Sequence, residues 1–144
     1  MFTFKHRSPY DLRRDHEFYK YGIVDCIYNN NDVIDEEAVM REIYNGSVYL
    51  FDVIDEDIQV GFVVLAESTQ RYSDARILNV DFACLDCPKQ GIMRLYESLP
   101  QFAEKLGFDE IAFRSTRKGW DRFCERTGFD GQTRVYFKEL SNGC

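Results

Sequence analysis

Residues 102–108 read FAEKLGF, and residues 123–129 read FCERTGF. Both run Phe, a small residue, Glu, a cation, one variable residue and then Gly-Phe. A helix leaves its last carbonyls without partners, and a glycine just past the end takes the left-handed conformation that satisfies them. The apolar residue after that glycine folds back on the last turn, and a basic side chain suits the negative end of the helix dipole. Lys105 with Gly107-Phe108, and Arg126 with Gly128-Phe129, follow this grammar. Two helices are therefore predicted to end near residues 106 and 127, with room between for one short strand and the second helix.

The first of these helices opens at Pro88, and Leu95, Leu99, Phe102, Ala103 and Leu106 keep helical spacing along it. Pro100 inside it removes one backbone hydrogen bond and is expected to kink it. Downstream, DEIAFRS (109–115) reads as a strand, RKGWDRFCERT (117–127) as the second helix and TRVYFKEL (133–140) as a last strand. Upstream, RILNVDFACL (76–85) alternates, which places Leu78, Val80, Phe82 and Cys84 on one face and Ile77, Asn79, Asp81 and Ala83 on the other. VYLFDVI (48–54) and VGFVVLAE (60–67), joined by acidic turn residues at 55–57, read as a hairpin.

At the start, FTFKHR (2–7) alternates as a first strand, and Ser8-Pro9 opens a helix to about residue 27 with a break expected near Gly22. NNND at 29–32 reads as a loop. DEEAVMREIY (35–44) is a short amphipathic helix with acids in its first turn, stopped by Asn45-Gly46. The order β-α-α-β-β-β-α-β-α-β predicts an α/β fold, a central mixed sheet with helices on both faces, in one domain over residues 1–144.

Composition narrows the function classes. Hydrophobic residues make up 44% of 144 residues, with 12 Phe and 9 Tyr, which suits a folded globule with one core. A net charge of −7 disfavours nucleic-acid phosphates and favours cationic partners. The sequence shows no apolar run of membrane-spanning length and no signal-peptide pattern, so a cytoplasmic setting without membrane attachment is expected. The five cysteines make no even framework and read as reduced thiols. Cys84-Leu-Asp-Cys87 has C-x-x-C form but no second ligand pair, and His6 and His16 are remote in sequence, so no metal site is expected.

The element order, with paired Gly-Phe helix endings around a short strand, resembles the GNAT superfamily of N-acyltransferases over nearly the whole chain. RKGWDRFCERTGF (117–129) is similar to the superfamily's C-terminal pattern N-x-x-A-x-x-F-Y-E-K-x-G-F, and the helix ending KLGFDEIAF is similar to its cofactor-binding unit. The resemblance implies acetyl-CoA in a cleft between strands 76–85 and 109–115, with the pantetheine arm on Phe82, Ala83, Cys84 and Leu85. It implies a pyrophosphate at Lys89, Gln90, Gly91 and Ile92, where a helix N-terminus attracts anions. It further implies an amine acceptor attacking the thioester directly, without a covalent enzyme intermediate. The acidic balance suits a cationic amine: a protein lysine, an amino terminus or a polyamine.

The sequence also departs from the family. The pyrophosphate pattern R/Q-x-x-G-x-G/A falls on Cys87, Gln90 and Ile92, and only Gly91, one place out of register, is a glycine. Lys89 offers charge to a phosphate and Asp86 opposes it. The tyrosine that many relatives carry as an acid is Cys124 here, which lies on the buried stripe of Trp120, Phe123 and Thr127 and reads better as a small core residue than as an acid; the family's asparagine gives way to Arg117 or Lys118. For a base, Asp81 on its strand face is the first candidate, if neighbouring strands bury it, and Glu67 the second. Each is also readable as a solvated sheet-face carboxylate. A second reading, a GNAT-fold binding or structural protein without catalysis, of the kind found among bacteriophage-associated proteins, is favoured by the eroded glycine loop and by Cys124.

Overall fold

A computed structural model describes residues 1–29, 34–113 and 128–129. The described elements run β1 (Thr3–Arg7), α1 (Pro9–Arg14), α2 (His16–Asn29), α3 (Glu36–Tyr44), β2 (Tyr49–Asp55), β3 (Ile58–Thr69), β4 (Arg76–Leu85), α4 (Pro88–Lys105) and β5 (Glu110–Phe113). The five strands form one sheet in the order β1-β2-β3-β4-β5; the first four are antiparallel to their neighbours and β5 runs parallel to β4. This is the expected mixed sheet, hairpin-rich in its first half and closed by a βαβ crossover. The predicted last helix and last strand, with Cys124, lie outside the described residues.

Helices cover both faces. On one, α4 packs Leu95, Tyr96, Leu99 and Ala103 against Val53, Val63, Leu65, Leu78 and Val80 of the sheet. On the other, Leu12, Tyr19 and Ile23 of α1 and α2, with Met40 and Ile43 of α3, close over Leu50, Phe62, Val64 and Phe82. Burying a large aliphatic or aromatic side chain contributes about 1.5–3 kcal/mol, so these two layers carry most of the stability.

The end of α4 follows the sequence grammar. Gly107 has φ +83°, its N–H donates to the Glu104 carbonyl at 3.0 Å, and the Phe108 N–H donates to the Ala103 carbonyl at 3.0 Å. That pair of bonds is a Schellman motif. Gly128 also lies in the left-handed region, at φ +79°. Pro100 sits within α4, which continues from Pro88 to Lys105. Ser8 caps α1 by accepting from the Asp11 N–H, and Asp35 caps α3 by accepting from the Glu37 N–H.

Two expectations are corrected. The first long helix breaks at Asp15, whose N–H turns back to the Leu12 carbonyl at 3.1 Å, and not near Gly22. Gly22 serves packing instead: a Cβ there would lie 2.6 Å from two ring carbons of Phe62, so its absence lets α2 descend onto the sheet. The second correction concerns β4. Leu78 and Val80 face α4, whereas Phe82 and Cys84 face α2 and α3. Simple alternation put all four on one side; a bulge intervenes.

Candidate active site

The bulge follows from the register. Val64 of β3 faces Phe82, and Leu65 faces Val80, so Asp81 is the extra residue of β4. An inserted residue reverses the inside-outside phase of everything after it. The reversal keeps both halves of β4 apolar toward a core, Leu78 and Val80 on one side and Phe82 on the other. It leaves Asp81 itself exposed, contrary to the expectation of burial between strands. Its side chain borders a cleft of 180 Å³ between α3 and the sheet. Ala38, Val39, Val64 and Phe82 supply apolar wall there, and Glu42 supplies a second carboxylate.

Past the bulge, β4 has two different edges. The Asp86 N–H donates to the Val60 carbonyl at 2.9 Å, and Leu85 pairs with Gly61, Cys84 with Phe62 and Phe82 with Val64. In an antiparallel ladder hydrogen-bonded pairs alternate with non-bonded ones. Counting back from Asp86, residues 84 and 82 exchange bonds with β3, so Ala83 and Leu85 turn their N–H and C=O groups to the edge along which β5 runs. The described pairing with β5 covers Ile77 to Val80, ending at Val80 opposite Phe113. The expected coenzyme segment, Phe82 to Leu85, is thus the part of β4 beyond the last described β5 pair.

The start of α4 lies directly after this segment. Its helical ladder begins with the Gly91 N–H donating to the Cys87 carbonyl at 2.8 Å. Donors before the first such bond have no intrahelical partner; here these are Lys89 and Gln90, since Pro88 has no N–H. The side chains of Lys89 and Gln90 lie outside what the structure describes. A Cβ on Gly91 would meet Leu85 Cδ1 at 3.2 Å, so this glycine lets the helix begin close against the end of β4. Ile92 packs against the α4-side core.

Glu67 is placed elsewhere. It pairs with Leu78 near the start of β4, and its Oε1 accepts from Arg76 Nε at 2.8 Å. Arg76 also donates to the Leu106 and Gly107 carbonyls and lies 4.4 Å over the Phe108 ring. The carboxylate is engaged in a clamp on the end of α4, away from the bulge.

Three features escaped the sequence reading. Asp52 of β2 is only 1% exposed; its Oδ1 accepts from the Tyr19 hydroxyl at 2.7 Å and from Gln59 Nε2 at 2.9 Å, and its Oδ2 from Arg7 Nε at 2.5 Å. A charge in register with Leu50 on a buried strand face was the available signal. The second is Glu42, which a helical face shared with Val39 brings to the cleft. The third is the meeting of Cys26 with Cys84, whose Sγ atoms are 2.6 Å apart. Among the described residues no group of three or more His, Cys, Asp or Glu is arranged to hold a metal ion, and no helix is long and apolar enough to cross a bilayer.

No protein-family model matches this sequence, and no curated protein does so. Solved structures do. An aminoglycoside acetyltransferase from an uncultured soil metagenomic sample, in complex with sisomicin, is similar with a TM-score of 0.62 at 20% identity, covering 97% of each chain. A ribosomal-protein-alanine N-acetyltransferase from Brucella melitensis biovar Abortus 2308 is similar with a TM-score of 0.62 at 14% identity, over 97% of this chain and 100% of its own. A GNAT family acetyltransferase from Staphylococcus aureus is similar with a TM-score of 0.63 at 15% identity, over 96% of this chain and 98% of its own. Each match extends over at least 96% of this chain, and the chain therefore has the fold of the GNAT acetyltransferases.

Proposed function

We propose that this chain is an N-acyltransferase that moves an acetyl group from acetyl-CoA to a cationic primary amine. One observation carries the reading: beyond the Asp81 bulge, Ala83 and Leu85 present backbone donors and acceptors to the β5 edge. Such an edge suits the two amides of a pantetheine arm, as a strand edge suits any extended peptide-like partner. The α4 N-terminus, with Lys89, Gln90, Gly91 and Ile92, lies where the pyrophosphate would rest. The fold neighbours named as N-acetyltransferases support the same class, one of them solved with CoA.

When bound, acetyl-CoA supplies the acyl group as an activated thioester. The chain's own residues hold and orient the other partner. Asp81 and Glu42 border the cleft beside Phe82, and two carboxylates over an apolar floor attract an ammonium group and its methylenes. Asp81 then accepts the amine's proton, directly or through water, which frees the nitrogen lone pair for attack. Glu67 remains a second base in this reading only if its contact with Arg76 opens. Cys124, outside the described residues, stands where relatives carry a tyrosine and is the proposed proton donor to the departing sulfur. Protein lysines, amino termini and polyamines all fit the acceptor class.

One observation favours a non-catalytic alternative, a GNAT-fold binding or structural protein of the bacteriophage-associated kind. Gly91 is the one glycine in the stretch 87–92, and its N–H is engaged within α4. Incubating the protein with acetyl-CoA and a panel of polyamines and lysine peptides, with thiol release as the readout, separates the two. Turnover that falls at least tenfold in Asp81→Asn supports the enzyme; no thiol release above background supports the binding protein.

A further inference from the structure

Cys26 on α2 and Cys84 on β4 stand 58 residues apart in the chain, with their sulfurs 2.6 Å from each other. Both are thiols in the structure. The approach follows from the packing. Gly22 brings α2 down onto the sheet, and Cys26, one helical turn on, lies on the same face. The Cys84 thiol is also 3.4 Å from the Gly22 carbonyl, and the Cys26 thiol 3.6 Å from the Ala83 carbonyl. Each sulfur thus rests against the backbone of the other's element, which fixes the pair from both sides.

Cys84 and Cys87 make a C-x-x-C, but the bulge at Asp81 turns Cys84 toward α2 and α3, while the chain after Leu85 enters α4 on the opposite face. Cys87 is exposed at the start of that helix. Orientation selects Cys26 over Cys87.

We infer that Cys26 and Cys84 are a site of reversible oxidation, closing to a disulfide that ties α2 to β4 when a peroxide is present. In the first step a Cys26 sulfur attacks a peroxide oxygen; the S–O bond forms, the O–O bond breaks and one water leaves. In the second, the Cys84 sulfur attacks Cys26 sulfur; the S–S bond forms, the S–O bond breaks and a second water carries away the Cys84 proton. The two thiols lose two electrons and two protons, and the peroxide is reduced to two waters. The hydrogen bond to Cys26 and burial hold the Cys84 thiol protonated, which leaves Cys26 as the sulfur that meets the peroxide first; Cys84 gives up its proton only as the hydroxyl leaves Cys26 in the second step. The sulfurs already lie within about half an ångström of a ~2.05 Å disulfide bond, so closure asks little of the backbone.

The test uses the intact, fully reduced chain. A few equivalents of hydrogen peroxide are added, remaining thiols are alkylated, and the digest is read by mass spectrometry without reduction. The expected product is a peptide linking residues 26 and 84, lost on adding dithiothreitol and absent from Cys26→Ser. Closing so long a loop is also expected to raise Tm by roughly 10 °C, in the wild type and not in Cys26→Ser. Recovery of Cys26 and Cys84 both alkylated while other cysteines oxidise, or of Cys84 linked to Cys87, overturns the inference. The peptide map of the wild type decides the matter even if the variant folds poorly.

Discussion

The Tyr19 hydroxyl of α2 donates to the Asp52 carboxylate of β2 at 2.7 Å, inside a site where both residues are at most 2% exposed. Arg7 and Gln59 complete the partners of that carboxylate, so three strands and one helix meet at a single buried charge. A buried charge that loses its partners, or leaves them unpaired, is costly. Asp52→Ala strands the Arg7 guanidinium and the Tyr19 hydroxyl and is expected to lower the unfolding free energy by about 3–5 kcal/mol. Asp52→Asn keeps hydrogen-bonding capacity and should cost about 1–3 kcal/mol. Urea unfolding measures both, and a loss under about 1 kcal/mol for Asp52→Ala would show that the network does not hold α2 to the sheet.

Burial, and then the bond to Asp52, push the Tyr19 hydroxyl above its usual range; burial alone does so for Tyr96. Below the unfolded tyrosine pKa of ~10 both states keep these protons, and the stabilisation is fully present. Above it the unfolded chain sheds protons that the folded chain retains, so stability falls as pH rises. The urea midpoint should therefore decline above about pH 10, and decline less steeply in Tyr19→Phe. Equal slopes in the two proteins would remove Tyr19 from the explanation.

Gly22 faces the Phe62 ring so closely that a Cβ would lie 2.6 Å from two of its carbons, and Phe62 is held edge-on by Tyr19 at a centroid distance of 5.0 Å. Gly22→Ala gains helix propensity but forces a Cβ into the ring. Overpacking should win, with a net loss of about 1–3 kcal/mol. Phe62→Leu in the same chain should recover part of it, because the two sites touch. Thermal melts of the two single variants and the double settle the sign, and simple additivity would mean that the clash is relieved elsewhere.

Asp81 and Glu42 are proposed to hold the acceptor and not the coenzyme. Asp81→Asn and Glu42→Gln are each expected to raise KM for a diamine about tenfold, near 1.4 kcal/mol per lost charge contact, while leaving acetyl-CoA binding within twofold. Asp81→Asn should lower kcat as well if it takes the proton. A change in coenzyme affinity alone would place these carboxylates at the wrong end of the site.

Much of the fold was legible because local rules agreed with the global one. The paired Gly-Phe endings are read from capping chemistry alone, and Gly107 and Gly128 both take the conformation that chemistry demands. Gly22 reads as a helix breaker, but its smallness is needed by the Phe62 ring, which lies far away in sequence. The bulge at Asp81 was illegible because period-two alternation continues through it; only the pairing partner on β3 shows that one residue is extra. The same holds for the site. The segment Phe82 to Leu85 came from resemblance, but which of its residues turn to the β5 edge depends on register. Asp52, Glu42 and the meeting of Cys26 with Cys84 are tertiary facts with no local signature beyond an acid on an apolar face.

The central claim, that the β4 edge and the start of α4 receive acetyl-CoA, is tested most directly by thermal unfolding with and without the coenzyme, beside a calorimetric titration. Ligand at ~100 times its dissociation constant adds ~2.7 kcal/mol, which for a chain of this size raises Tm by roughly 5–15 °C. The account predicts that rise, with measurable heat and one coenzyme per chain. An unchanged Tm and no heat at millimolar coenzyme would contradict it.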